Sequence, residues 1–279
     1  MKCADLHIHT NFSDSTSLPD DVVKRAVAAG LDAISITDHD TVEGVLPVIK
    51  AAQNTGLEII PGIEMTSEID EREIHLLGYF VDIENAAFLK KLGELQELRV
   101  KRIYTMVEKL TELGIDNLEA EEVLEFAGKG AVGRVHLAMM LQQKGWVYSV
   151  PEAFYKYIGE KCPAYVSKFK LTPSEVIEAI RSAGGVAVLA HPHVCPEPEG
   201  FVSSLTDAGL KGLEIYYPSY SKNLTHSYKQ LAEKYNLLVT GGSDDHGLAK
   251  EQARIGRIKI PYSLVEALKQ EKCQSTNTS

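Results

Sequence analysis

The chain has 279 residues, of which 44% are hydrophobic and 24% are charged, and its formal net charge is −10 at pH 7. This composition predicts a globular protein with a sizeable core, organised as one large barrel or as two ordinary domains. The acidic balance argues against a broad electrostatic surface for nucleic acid, so no duplex DNA partner is expected, although divalent cations in a pocket would reverse the local charge.

The cysteines and the hydrophobic runs indicate the cellular compartment of the protein. The four cysteines are scattered, without a CxxC pair: Cys3, Cys162, Cys195 and Cys273. This spacing predicts neither a disulfide framework nor a thiolate zinc site. No hydrophobic run reaches the ~18 residues that a membrane span requires, and the first polar motif begins too early to leave room for a signal peptide. We therefore expect a cytoplasmic protein with free thiols and no membrane partner. Its oligomeric state is not indicated.

The first part of the chain alternates short apolar runs with helical patterns. The apolar runs predict strands at residues 3–9, 33–37, 57–63 and 73–81. Helical patterns that stop at Gly30 and Gly56 predict helices at residues 19–29 and 42–55. Such alternation is typical of a parallel sheet or barrel, in which functional side chains gather where the strands end.

Long helical patterns then replace this alternation. They predict helices at residues 86–113, 118–126, 133–143 and 151–158. The alternation returns with strands predicted at 186–190, 212–216 and 237–240, and helices at 172–183, 221–235 and 262–271. We interpret residues 82–162 as a helical lobe inserted into a discontinuous barrel formed by residues 1–81 and 163–279. The strands number about seven, one short of a complete TIM barrel.

Six histidines lie in polar motifs at or near the ends of the predicted strands. His7 and His9 alternate along the first strand, so both imidazoles point to one face. The other four are His39 in TDHD, His75 after an isoleucine, His191 in AHP and His246 in GSDDH. Glu64 in GIE and Asp244 beside His246 add carboxylates, and Asp14 follows the first strand, where it could equally cap a turn.

A single histidine is more often a structural residue, but six at strand ends beside carboxylates predict a metal centre. Mixed imidazole and carboxylate ligands suit Zn, Mn, Fe, Co or Ni, and a carboxylate can bridge two ions.

These motifs, in this order, resemble the polymerase and histidinol phosphatase (PHP) family of metal-dependent phosphoesterases over residues 1–80 and 163–262. The resemblance implies an α/β fold, a distorted seven-stranded (β/α) barrel with an inserted helical lobe that binds substrate. It also implies two to three divalent metal ions, Mn, Fe or Zn, at the C-terminal ends of the strands. His7, His9, Glu64 and Asp244 would hold the first ion; Asp14, His39 and His246 the second; and Glu64, as a bridge, with His75 and His191 the third.

Two features resemble one branch of this family. Some PHP phosphatases have a histidine at the position of Asp14, whereas an aspartate there resembles the branch that acts on nucleotides and RNA ends. The lobe sequence GRVH, which contains Arg134 and His136, resembles the GRPH motif of that branch, with Val135 in place of proline.

The resemblance to this branch implies hydrolysis of a phosphomonoester. The expected substrate is a small phosphorylated molecule, a nucleotide or a short RNA. We expect removal of the 3′-phosphate from a nucleoside 3′,5′-bisphosphate, which yields a nucleoside 5′-monophosphate, and processing of short RNA 5′ ends. Histidinol phosphatase activity and a non-catalytic metal-binding PHP module stay open as alternatives.

The sequence suggests residues for the chemistry around the metals. A hydroxide formed at the metals is the expected nucleophile, because no Ser/His/Asp or Cys/His arrangement indicates a covalent intermediate. His193 and His136 are candidate acids for the leaving oxygen. Arg134 at a helix start is the candidate for phosphate binding, with a solvated arginine as the alternative. His136 and Lys168 are further phosphate-binding candidates, with core packing and a surface lysine as the respective alternatives.

Overall fold

A sheet lies at the centre of the molecule. The computed structural model describes residues 2–70, 72–128, 130–167, 171–195, 197–249 and 254–276, and in this part of the chain the sheet has eight strands. The strands are β1 (Cys3–Ile8), β2 (Ala33–Ile36), β3 (Glu58–Ile69), β4 (Arg72–Tyr79), β5 (Val186–Leu189), β6 (Gly212–Tyr216), β7 (Leu238–Gly241) and β8 (Ile260–Pro261). Most of their residues are buried, as expected of strands that are covered on both faces.

The strands curl into a nearly closed barrel. Their order is β7-β6-β5-β4-β3-β2-β1-β8, and β1–β2–β3 and β5–β6–β7 are parallel sets. β8 pairs with the start of β1, at Cys3 and Ala4. The end of β1 pairs instead with the segment after β7, where Asp244 N–H donates to the His7 carbonyl at 2.8 Å and His9 N–H donates to the Asp245 carbonyl at 3.0 Å. The predicted α/β barrel is confirmed.

Two details of the sheet differ from the prediction. β4 is antiparallel to both of its neighbours, because β3 runs on to Ile69 and forms a hairpin with β4. A short connection between adjacent strands forces this antiparallel pairing. The eighth strand, β8, has only two residues and is too short to leave a hydrophobic period in the sequence.

Helices cover the barrel and form the lobe. They are α1 (Pro19–Ala28), α2 (Val45–Ala51), α3 (Ala86–Glu112), α4 (Ala120–Ala127), α5 (Arg134–Gln143), α6 (Val150–Ala153), α7 (Pro173–Ser182), α8 (Pro198–Asp207), α9 (Lys222–Lys234) and α10 (Tyr262–Thr276). A π-helical turn, Phe154–Ile158, continues α6. No helix is predicted from the sequence at α8, where proline and glycine obscure the helical pattern. None of the described helices is long and hydrophobic enough to cross a membrane.

Helix α3 connects the barrel with the helices that follow it. Phe88, Leu92 and Leu95 in its first half pack into the core of the barrel. Ile103 and Met106 in its second half belong to a separate core shared with α4 and α5. The helices between the two parts of the barrel thus have a core of their own, and the boundary at residues 82–162 stays a prediction.

A buried ion pair joins α3 to the loop after β2. Arg99, only 3% exposed, donates from Nε to Asp40 Oδ2 at 2.8 Å. Its Nη1 donates to the Val132 carbonyl just before α5 at 3.1 Å. One side chain therefore holds the barrel, α3 and the start of α5 together beside the strand ends.

Candidate metal centre

The nine predicted ligands lie together at one end of the barrel. His7 lies on β1, Glu64 on β3 and His75 on β4, His9 directly follows β1, and the others lie in loops after strands. Glu64 is the centre of the group. Its Oε2 lies 3.1 Å from Nε2 of both His7 and His9, and its Oε1 lies 3.0 Å from His75 Nδ1 and 3.0 Å from His191 Nε2.

Three sets of ligand atoms within the described residues are close enough to share an ion, with all atoms of a set within 4.8 Å of one another. The sets are His7, His9, Glu64 and Asp244; His9, Asp14, His39 and His246; and His39, Glu64 and His75. The first set equals the one predicted for the first ion. The second adds His9 to the predicted residues, and the third has His39 in place of His191. Which ion each side chain binds stays a prediction.

Unpaired polar atoms test whether metal ions fit here. Both ring nitrogens of His9 and of His75, Asp14 Oδ1 and His39 Nδ1 are buried and make no hydrogen bond within the described residues. Buried polar atoms normally have partners, and each missing partner costs about 1–3 kcal/mol. These imidazole nitrogens face carboxylates but do not form hydrogen bonds with them. Imidazole nitrogens and carboxylate oxygens in such an arrangement are typical ligands of divalent cations. The residues therefore fit a cluster of metal ions.

The charges of the cluster agree with this interpretation. Burial lowers the pKa of His9, but Asp244 and Glu64 beside it outweigh burial and raise that pKa to about 10. Burial raises the pKa of Glu64, but His39, His7 and His75 hold it well below its usual range. The pKa of Asp14 is also held well below its usual range, since the imidazoles of His246 and His39 outweigh burial. Ionised carboxylates thus stand among the imidazoles at neutral pH.

Several supporting residues have no motif in the sequence. Glu214 on β6 lies with Oε1 2.9 Å from His7 Nδ1. Tyr217 donates its hydroxyl to Asp244 Oδ2 at 2.5 Å. Arg25 on α1 donates to Asp245 Oδ2 at 2.8 Å, which holds the loop that carries Asp244 and His246. An acidic residue within the buried strand GLEIY was the signal available for Glu214.

A cavity of about 460 Å³ opens beside the cluster. Four predicted ligands line it: Asp14, His39, His75 and His246. Three arginines, Arg99, Arg102 and Arg134, line another part of its wall. Cationic side chains therefore share one cavity with the predicted metal ligands.

Arg134 lines this cavity at the first position of α5. Its Nη2 donates to Glu73 Oε2 at 2.8 Å, and its guanidinium lies 5.4 Å from the ring centres of Phe154 and Tyr165. Its side chain is 16% exposed, so the alternative of a solvated arginine is wrong. Its contact with phosphate stays a prediction.

Arg102, which no sequence motif marks, lines the same cavity. Its Nη1 lies 3.0 Å from Glu73 Oε1, whereas its buried Nη2 has no hydrogen-bond partner in the described part of the chain. Burial lowers the pKa of Arg102 to about 10, so the guanidinium is still charged at neutral pH. Arg99 and Arg102 are three residues apart and so share one face of α3.

The other predicted phosphate and acid residues lie in different places. His136 lines a second cavity, of about 350 Å³, with Phe12, Phe126 and Asp14 rather than the arginine-lined one. His193 lines a third, of about 230 Å³, beside His191 and Tyr217. Lys168 lies outside the described residues. The roles of His136, His193 and Lys168 stay predictions.

Comparisons with known proteins agree with this fold. The PHP domain family matches residues 5–159. A 5′-3′ exoribonuclease from Haemophilus influenzae is 31% identical over 246 residues, which cover 87% of this chain and 89% of that one. A 3′,5′-nucleoside bisphosphate phosphatase from Chromobacterium violaceum is 28% identical over 250 residues, 88% of each chain. A crystal structure described as a metal-dependent phosphoesterase, from Bifidobacterium adolescentis, is 28% identical, superposes with a TM-score of 0.87 and covers 95% of this chain and 94% of that one.

Barrel, cluster and relatives together define a metal-dependent phosphoesterase, a hydrolase of phosphoric ester bonds. The chain belongs to the PHP family. The resemblance and the enzyme class predicted from the sequence are confirmed, as is the use of divalent metals. The identity and number of the ions stay predictions.

Removal of the metal should destabilise the protein. A ligand present at 100 times its dissociation constant stabilises the folded state by about 2.7 kcal/mol, and we expect at least this loss in the free energy of unfolding after treatment with a chelator. Denaturant unfolding with and without added Mn measures it. Restored stability on adding Mn back is the control, and identical unfolding curves would show that the cluster binds no ion.

Proposed function

We propose that the protein hydrolyses the 3′-phosphate of nucleoside 3′,5′-bisphosphates and releases nucleoside 5′-monophosphates, and that it also processes short RNA 5′ ends. The observation that carries this proposal is the cavity of about 460 Å³ that joins predicted metal ligands to three arginines. A substrate with two phosphates needs two anion sites in one cavity. The metal cluster is one of them and the arginines are the other.

The arginine part of the cavity is prepared for an anion. The Glu73 carboxylate lies between Arg102 and Arg134, at 3.0 and 2.8 Å, and so holds two like charges side by side. Arg102 Nη2, buried and without a hydrogen bond among the described residues, is a donor still to be satisfied. Phosphate oxygens are strong acceptors for such guanidinium donors. This part of the cavity is the proposed site of the phosphate that is not hydrolysed.

The cluster is the proposed site of the scissile phosphate. His7, His9, Glu64 and Asp244 would hold one ion; Asp14, His39 and His246 a second; and His75 and His191, with Glu64, a third, and the ions would be Mn, Fe or Zn. Ions bound there supply a nucleophile at neutral pH and neutralise charge on the phosphoryl oxygens. Tyr217 orients Asp244 through its hydroxyl, and Glu64 spaces the imidazoles around it.

His193 is the proposed proton donor to the leaving oxygen. Its backbone N–H donates to Tyr220 Oη at 3.4 Å, and its Nδ1 lies 3.1 Å from the same oxygen. The proton donor is the imidazolium form of His193, in which Nδ1–H donates to Tyr220 Oη and Nε2 carries the proton that is transferred. This arrangement orients the ring in the cavity next to the cluster, and general acid catalysis needs such a fixed donor.

His136 suits a contact with phosphate better than proton transfer. Its Nδ1 accepts the Gly133 backbone N–H at 3.0 Å, which leaves Nε2–H as a donor. Burial lowers the pKa of His136, so the ring is neutral at pH 7. A neutral imidazole donates a hydrogen bond but is a weak acid.

A substrate panel tests the proposal. We expect the purified protein, supplied with Mn, to show its highest kcat/KM with a nucleoside 3′,5′-bisphosphate and to release the 5′-monophosphate, as identified by chromatography. The panel includes a nucleoside 3′-monophosphate, a 5′-phosphorylated short RNA and histidinol phosphate. A preference for histidinol phosphate would support the first alternative. No turnover at full metal occupancy would support a binding module.

A further inference from the structure

One buried acid on β6 belongs to none of the metal-binding motifs. Glu214 is completely buried, at 0% exposure, between leucine and isoleucine in the strand Gly212–Tyr216. A carboxylate is rarely buried without partners, because loss of hydration disfavours the charge unless hydrogen bonds replace it. Its partners therefore indicate why it is there.

Both carboxylate oxygens of Glu214 contact predicted metal ligands. Oε1 lies 2.9 Å from His7 Nδ1, and Oε2 accepts the backbone N–H of His191 at 2.8 Å. These two histidines belong to different predicted ions. One side chain thus connects the first ion site with the third.

The contact with His7 determines which ring nitrogen faces the cluster. An ionised carboxylate only accepts hydrogen bonds, so His7 Nδ1 carries the proton. When the ring binds a metal, its lone pair is therefore on Nε2, which lies 3.1 Å from Glu64 Oε2 and 3.4 Å from Asp244 Oδ1. Only a nitrogen with a free lone pair binds a metal.

The contact with His191 holds a strained turn. His191 has φ 25° and ψ 63°, a region that residues other than glycine rarely adopt. The Oε2 atom of Glu214 accepts the N–H of this residue and so fixes the turn from which its imidazole reaches Glu64 at 3.0 Å. Such strain persists where surrounding contacts determine the conformation.

We propose that Glu214 is a positioning residue, which selects the Nδ1–H form of His7 and fixes the backbone turn at His191, and so prepares two metal ligands at once. The proposal rests on the proposed metal ligands but not on the substrate. Carboxylates that orient metal-binding histidines from behind typically change metal affinity 10–100-fold when they are replaced.

The variant Glu214→Gln separates this role from simple packing. Glutamine has nearly the same shape but only one acceptor atom, whereas both partners of Glu214 are donors. When the amide oxygen accepts the His191 N–H, the amide NH₂ faces His7 Nδ1 and moves the ring proton to Nε2. In the opposite orientation, His7 keeps its Nδ1 proton, but the amide NH₂ faces the His191 N–H and two donors meet there. Either way, one of the two ligands loses the contact that positions it.

The experiment measures metal binding and the ring protons directly, without substrate. We expect Glu214→Gln to bind Mn about 10–100-fold more weakly than the original protein in a competition titration. Long-range ¹H–¹⁵N spectra of the protein loaded with diamagnetic Zn, assigned with His7→Ala, should show the His7 proton on Nδ1 in the original protein. In the variant we expect this proton on Nε2 or, with the amide in the opposite orientation, on Nδ1 together with a shifted His191 backbone N–H signal. Glu58→Gln is the matched control, because Glu58 pairs with Lys269 and Tyr262 at the start of β3.

The outcomes decide between a positioning role and a structural one. The proposal is overturned if Glu214→Gln folds, binds Mn as tightly as the original protein and keeps the His7 proton on Nδ1. If this variant does not fold, Glu214→Asp replaces it, since aspartate keeps two acceptors. We then expect the Nδ1 proton to be retained with a smaller loss of Mn affinity, and a proton on Nε2 would overturn the proposal. Failure of the substrate panel leaves these measurements unaffected.

Discussion

Replacing Glu64 by glutamine should lower kcat/KM by about 10³-fold, since a shared metal ligand is worth several kcal/mol in the transition state. The two oxygens of Glu64 lie within 3.1 Å of four imidazole nitrogens, those of His7, His9, His75 and His191. An amide nitrogen in place of one oxygen cannot bind a cation. We therefore expect the bound metal per chain, measured by elemental analysis, to fall together with activity.

The control for this prediction is Glu43→Gln, which makes the same change at an exposed residue between β2 and α2. It should leave both metal content and kcat/KM unchanged. Thermal unfolding of the metal-free proteins confirms that both variants are folded. Full metal content and unchanged kinetics in Glu64→Gln would remove Glu64 from the metal centre and with it the arrangement proposed here.

Replacing Arg134 by alanine should lower kcat/KM for a nucleoside 3′,5′-bisphosphate by about 10²-fold, since hydrogen bonds to charged groups contribute about 1.5–3 kcal/mol. The guanidinium lies in the cavity beside the cluster and is held by Glu73 at 2.8 Å. A nucleoside 3′-monophosphate lacks the phosphate assigned to the arginines. Its kcat/KM should therefore change little, and the metal content should stay the same.

The control for this second prediction is Arg181→Ala, at a half-exposed arginine on α7. It should affect neither substrate. An equal loss for both substrates in Arg134→Ala would show that the arginine supports the cluster rather than the second phosphate. No loss for either substrate would remove it from the substrate site.

The two predictions separate the two anion sites of the cavity. Loss of metal in Glu64→Gln affects every substrate, because every one of them needs the cluster. Loss of Arg134 affects only those with a second phosphate. If the RNA 5′ end is also a substrate, its kcat/KM should follow that of the bisphosphate when the arginine is removed.

The metal cluster could be predicted from sequence because its ligands lie on the predicted strands or shortly after them. His7 and His9 are two residues apart on a strand, which places both on one face in any barrel. His39 and His191 follow other buried strands, and parallel strands end on the same side of the sheet. Glu64 lies on β3, which continues past this side of the sheet to Ile69. Local order along the chain therefore determined which residues meet.

The partition among ions was less predictable. His39 lies close enough to Glu64 and His75 to share an ion with them, whereas His191 is the residue expected there. Which histidine shares an ion with Glu64 and His75 depends on differences of a few ångström in the positions of the ligand atoms. The spacing of motifs along the sequence does not specify these positions.

The sheet shows a similar division. The sequence pattern located the seven longer strands, but not the antiparallel direction of β4 or the two-residue strand β8. Direction depends on how β3 and β4 meet in the hairpin, and β8 exists because it pairs with β1. Both features result from strand pairing, which the local hydrophobic period of the sequence does not indicate.

By itself, the sequence determined the barrel class and predicted the helical lobe and the metal ligands, because hydrophobic period and strand position are local properties. Only the tertiary structure decided which residues support that cluster. Arg102 lies in a helical pattern, and Glu214 lies in a strand pattern whose other residues are hydrophobic, so the sequence alone does not explain their charges. The fold supplies the reason, because it places Glu73 beside Arg102 and His7 beside Glu214. A buried charge is explained by its partner, and here 29 residues separate one pair and 207 separate the other.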